Sequence, residues 1–459
     1  MMTEDRERRL RRDRLRFASL RESVAARLWP LPVAAIAVAV GLGVTVPLID
    51  AAVDRNLSEI WTTALFSGGS AAARAVLAAI ASSLVAATTL TFSLTVVALQ
   101  LASSQASPRV LRMFARDPVV HRTLAVFLGT FAFALTVLRS VRDADDPAPA
   151  VVPSIAITLA YLLTLLSVVM LVLFLSHLAR QLRIETVLRD VHEETSATIA
   201  LVSDGDHGDT PAPPARATRP AHARLVAATH SGFLTTVDRN RMVAVAVDHD
   251  LVAEELRTIG SDVVEGTPLV AWWNRDPARR TADDEVEQLN DDLRAAFTLA
   301  YERTPTQDIG FGLRQLADIA TRALSPGVND PTTAVHALGH ISAVLCALAR
   351  QPLQRRVLSD DEGAPRLVVS THDFDELVEL GIAQARRYGS GDPEVAARLY
   401  LLMRELAWSV ERDEQRQVVV SQRDRLDIAV AQRDHDRVER ERFARLSADV
   451  DEALAKRWG

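Results

Sequence analysis

The chain of 459 residues has one cysteine, one lysine and no surplus of positive charge. The lone Cys346 excludes a disulfide framework and any zinc or iron–sulfur site built from several thiolates. The lone Lys456 excludes a biotin or lipoyl carrier, which needs a lysine at a hairpin tip. Fifty-nine acidic residues outnumber 52 basic ones for a net charge of −7, so a generally basic nucleic-acid binder is excluded as well. Catalytic signatures are missing: there is no G-x-S-x-G, no P-loop and no G-x-G-x-x-G. His336 and His340 stand four apart, a metal-compatible spacing, yet no Glu follows the first and the H-E-x-x-H pattern is absent. Cys346, further along the same segment, reads as a small core residue. No enzymatic activity, cofactor or metal is expected.

What is present is segregated. A spanning helix needs about 20 mainly apolar residues. Four segments qualify: residues 33–49, 75–100, 119–138 and 155–175. All four are read as helices, because an open strand leaves its backbone unsatisfied in lipid. None carries an Asp, Glu, Lys, Arg or His deep within it, which argues against proton-driven pumping and leaves a passive path open. Orientation follows arginine bias. Residues 1–30 hold nine arginines against five acids, and Arg109, Arg112, Arg116 and Arg122, then Arg180, Arg183 and Arg189, lie on the same side. The other side is mixed or acidic, with Asp50, Asp54 and Glu59 in one loop and Asp143, Asp145 and Asp146 in the other. Both termini are therefore expected in the cytoplasm of a bacterial cell, with a basic N-terminus at 1–30 and a four-helix membrane domain at 31–178.

The expected fold class is a mainly α integral membrane protein with a cytoplasmic α+β region. Residues 179–202 read as a connecting helix, and 203–224, rich in Gly, Pro and Asp, as a flexible linker. Short valine-rich runs separated by turn residues predict a small β module at 225–275 that includes Met242–Val247 as a strand. The rest, 276–459, reads as helical. Asp283-Asp284-Glu285 opens a helix to about Tyr301, and Asp330-Pro331 and Asp392-Pro393 are cap-plus-proline starts. Leu367-Val368-Val369 suits a strand, and 411–445 is a solvated helical face with a thin apolar seam.

Three blocks carry a resemblance. The first is Phe92-Ser93-Leu94-Thr95 with Leu99 through Gln105 and Ser107-Pro108-Arg109; the second is Phe174-Leu175-Ser176-His177-Leu178. The third runs from Glu302-Arg303-Thr304 and Gln307-Asp308 through Phe311–Leu316 to Ala323–Pro331. Together they resemble the bacterial predicted membrane proteins grouped as domain of unknown function 2254. The resemblance covers nearly the whole chain. It implies a membrane location and brings no catalytic residues with it. The turn at 257–264, Arg-Thr-Ile-Gly-Ser-Asp-Val-Val, departs from the family's usual pattern.

Two candidate sites emerge from the residues themselves. Thr89, Ser93, Gln100, Ser104 and Ser107 are spaced 4, 7, 4 and 3 apart, on one face of a helix, with Thr91 and Thr95 on the far side. Such a stripe either lines a wet path or bonds to other helices and to its own backbone. The turn Ser325–Thr333 opens a helix whose free N–H groups, with Asn329, Asp330, Thr332 and Thr333 and the nearby Arg303 and Arg314, suit an anion. Its alternative is a corner in which Asn329 and Asp330 cap the backbone. Two functions follow: a homo-oligomeric conduit for ions or small solutes, or a non-conducting scaffold or receptor whose cytoplasmic part binds a partner or small anion. The lipid bilayer and further copies of the chain are the expected partners, and nucleic acid is not.

Overall fold

The computed structural model describes residues 29–53, 66–105, 117–142, 152–181, 183–204, 219–279, 281–351, 353 and 356–458. The basic N-terminus, most of the expected linker and Ser107 lie outside the described residues. The chain divides into two compact units, 1–186 and 187–459.

The first unit is a helix bundle of α1 (Pro30–Val53), α2 (Ser70–Gln105), α3 (Pro118–Leu138) and α4 (Ser154–Gln181). α3 is its axis: α1, α2 and α4 all pack against it, and Phe127, Phe133, Leu77 and Ile157 fill the contacts. α3 starts where it does because the Asp117 carboxylate accepts the N–H of Val119 and Pro118 occupies the first turn. At the other end of the bundle Asp50 is buried and accepts the N–H of Ile155, satisfying one of the free donors at the start of α4. Arg74 donates to the Val141 carbonyl at 3.1 Å.

The second unit begins with α5 (Ile184–Asp204). The sequence suggested one continuous helix leaving the fourth apolar segment; instead α4 ends at Gln181 and α5 starts at Ile184. Strands β1 (Arg224–Ala227), β2 (Gly232–Val237), β3 (Leu251–Glu255), β4 (Asp262–Val263), β5 (Pro268–Asn274), β6 (Phe297–Ala300), β7 (Arg356–Ser359) and β8 (Pro365–Val369) form two sheets. The larger has the order β1-β5-β3-β8-β7, the smaller β4-β2-β6. Every pair is antiparallel except β3–β8, which sets Ala253 opposite Leu367.

This topology corrects the division at residue 275. The β region does not close on itself: beyond 275 it takes β6 and β7 from the stretch expected to be helical, and β8, where Leu367-Val368-Val369 was expected as a strand. Met242–Val247 is not a strand but lies in α6 (Arg239–Asp248), started by the Asp238 carboxylate on the Arg241 N–H. Met242 and Ala246, four apart, face the core there, so the run obeys a helical rather than an alternating period. The helix expected from Asp283 to Tyr301 ends early, as α7 (Asp283–Arg294). Phe297–Ala300 then turns into a strand along β2.

Helices α8 (Ile309–Ala323), α9 (Pro331–Ala349), α10 (Phe374–Gly389), α11 (Pro393–Ser409), α12 (Asp413–Ala431) and α13 (Arg437–Leu454) complete the unit. The seam expected over 411–445 is two helices, parted at Arg433–Asp436, where Asp436 and Glu439 form a capping box. Among the described residues five helices are long and apolar enough to cross a membrane by length and composition, one more than the sequence count. The fifth is α9, which packs against α8, α10 and α11.

Candidate functional site

The polar stripe of α2 points away from the chain's own bundle. Thr89, Ser93 and Gln100 are exposed, whereas Leu84, Thr91 and Ala98 are buried against the other helices and Leu94 and Thr95 are half-buried. Ser104 continues the helical backbone, and its side chain, like Ser107 as a whole, lies outside the described residues. The stripe is narrow. Val85, Leu90, Phe92, Val96 and Val97 flank it on the same open surface. One stripe hydroxyl satisfies itself, Thr89 Oγ1 donating to the Val85 carbonyl at 2.9 Å; off the stripe Thr88 donates likewise to Leu84 and Thr95 to Thr91.

The corner at Ser325–Thr333 is closed by its own carboxylate. Asp330 accepts the Thr333 N–H at 3.0 Å and the Thr333 hydroxyl at 2.6 Å. The hydroxyl bond, then the backbone bond, holds the Asp330 carboxyl below the usual carboxylate range. A negative group therefore already occupies the positive end of α9. Asn329 and Thr332 are exposed, and Asn329 adopts φ +49°, a left-handed turn that Asn tolerates.

Arg303 is engaged elsewhere. Its Nε and Nη2 meet Asp308 at 2.8 and 2.9 Å, a bidentate pair, and Asp308 also accepts the Phe311 N–H as cap of α8. Gly260 lies over this pair at φ +87°; a Cβ there would stand 2.3 Å from Asp308 Oδ2. Arg314, half-buried on α8, has no ion-pair partner among the described residues. The six residues grouped as anion ligands from the sequence thus separate into a buried ion pair, a helix cap and a cation apart from both.

Two clusters escaped the sequence reading. In the bundle, Asp117 meets His177 of α4 at 2.5 Å, and His121 is buried one turn along α3 with no hydrogen-bond partner for Nε2. Asp117-Pro118 repeats the cap-plus-proline signal of Asp330-Pro331, so this helix start was readable; its His177 partner, sixty residues on, was not. In the second unit, His192 of α5 comes against His340, ring centroids 5.2 Å apart. Burial first, then His192 and then His336, pushes the His340 imidazole below its ordinary value. Among the described residues no group of three or more His, Cys, Asp or Glu is arranged to hold a metal ion. Burial raises the Cys346 thiol, which keeps it in its unreactive protonated form.

Comparison with known proteins agrees with the membrane character. Uncharacterized proteins of Mycobacterium bovis and of Mycobacterium tuberculosis strain H37Rv are each 34% identical over 412 residues, 89% of this chain and 76% of theirs. No solved structure matches. The family model for predicted membrane proteins of domain of unknown function 2254 matches residues 25–405, which takes in the apolar helices, both sheets and the α8–α9 corner. With most of the chain matched and a third of its residues shared with those relatives, the chain belongs to that family.

Proposed function

We propose that the protein is a homo-oligomeric conduit for ions or small solutes in the bacterial cytoplasmic membrane. α1–α4 span the bilayer with both termini inside, and α9 is a core helix of the cytoplasmic part. The path runs between copies, lined by Thr89, Ser93 and Gln100. One observation carries this reading: the stripe occupies the face of α2 that the chain's own helices leave open. Polar side chains turned to lipid are costly, and a water-filled path between copies removes that cost.

Single cysteines at Ser93, Gln100 and Ser104, in a Cys346→Ala background, should react with water-soluble thiol reagents and change ion flux in liposomes. Cysteines at Leu94 and Ala98 should stay unreactive. An oligomer whose stripe is inert and whose flux equals that of empty liposomes overturns the conduit.

The hydroxyl bonds returned to the backbone of α2 favour a second reading, a non-conducting scaffold in which the stripe joins helices of different copies. Ser93→Ala or Gln100→Leu should then weaken the oligomer by about 0.5–2 kcal/mol per bond without altering conductance. Topology is tested separately: a cysteine at position 56 should label from outside, and those at 210 and 380 from inside only.

A further inference from the structure

α5 is held to the second unit along one face. Leu188, Val191, Thr195 and Ile199 are buried, and Thr198 Oγ1 donates to the Pro305 carbonyl at 2.9 Å. Gly312 of α8 lies so close that a Cβ there would overlap the Thr195 hydroxyl. At the edge of this face stands His192. Its Nδ1 is buried and has no hydrogen-bond partner, an uncommon state for a ring nitrogen of this kind. The neighbouring ring is His340, and His336 lies one turn back on α9.

We propose that the contact between the His192 and His340 rings is an acid-sensitive latch, which holds α5 against α9 at neutral pH and releases it on acidification.

No carboxylate of the packed elements is among the groups that shift His340. On α5, Arg189 is tied to Asp190 and Glu193 at 3.6 and 3.7 Å, and Glu194 belongs to the same helix. α8 presents Arg314 and Asp318 on its less buried side. On α11, Glu405 is taken by Arg398 and Ser342, and on α10, Glu379 is taken by Arg386 and Arg425. The charges that bear on His340 are the two other imidazoles, and both oppose its protonation.

The sign follows. A histidine whose folded-state value lies below its ordinary 6.5 binds protons more readily when its surroundings open. Its contribution to the closed state is complete above pH 6.5 and is lost as the pH falls below it. Chain connectivity gives the latch a consequence. α4 and α5 are separated only by residues 182 and 183, so freedom gained by α5 is delivered at the end of the last apolar helix of the first unit.

The test is hydrogen exchange by mass spectrometry on the full chain in lipid nanodiscs, at about pH 7.5 and 5.5 and corrected for intrinsic rates. Peptides within 187–199 should exchange about threefold faster or more at the lower pH. In His192→Gln and His340→Gln that difference should vanish.

A second measurement does not depend on those variants folding. The pH profile of carbethoxylation at His340 should move upward in His336→Gln, a change at an exposed position, because one opposing charge is gone. Exchange in wild type that does not respond to pH overturns the latch. So does a response of undiminished size in both variants, an unmoved His340 profile, or protection in α5 that a chelator removes.

Discussion

Asp308→Ala should cost the second unit about 3 kcal/mol. The Asp308 side chain is 1% exposed and receives both Arg303 nitrogens and the Phe311 N–H. Alanine removes the cap of α8 and takes the Asp308 carboxylate away from the guanidinium, itself mostly enclosed. Asp308→Asn keeps an acceptor for the cap and should fall between. The double variant Arg303→Met, Asp308→Leu should recover most of the loss, since no unpaired ion remains. Urea unfolding of the full protein, followed by tryptophan fluorescence, measures the three variants against the wild type. A loss below about 1 kcal/mol for Asp308→Ala would place the pair among the weak surface bridges instead.

Gly312→Ala comes next in size. Alanine suits a helix better than glycine by about 1 kcal/mol, and here it should still destabilise by about 1–3 kcal/mol. The new Cβ would lie 1.8 Å from Thr195 Oγ1 and 2.9 Å from Thr195 Cβ, so α5 has to move away from α8. Faster hydrogen exchange across 187–199 should accompany the loss. Thr195→Ala in the same chain removes the nearer clash and should return part of the stability. Additive losses in the double variant would mean that the two residues do not meet.

How far the sequence could be read depends on the range of the signals. Helix starts written within four residues were legible: Asp330-Pro331 and Asp392-Pro393 cap α9 and α11 where expected. The apolar helices were legible from length alone, although α9 meets the same length and composition and was not counted with them. Met242–Val247 misled because alternating Ala and Val suits both periods; the Asp238 cap decides for the helix. Asp283–Tyr301 misled because the pull of β2 on Phe297–Ala300 is a tertiary effect. In the candidate sites, the spacing of the α2 stripe was visible, while the partners of Arg303, His177 and His340 depend on how distant segments pack.

The parallel pairing of β3 with β8 also sets an order of assembly. Ala253 and Leu367 are over a hundred residues apart, so the central strand of the larger sheet has no second neighbour until β8 has been synthesised. At about 5–20 residues per second that delay is on the order of ten seconds. Throughout it one edge of β3 stays open, and unpaired edges invite association with other chains. The four apolar helices, meanwhile, have already left the ribosome. Nascent chains stalled before residue 356 should therefore carry a complete helix bundle and an incomplete sheet. In that interval the growing protein depends most on chaperones.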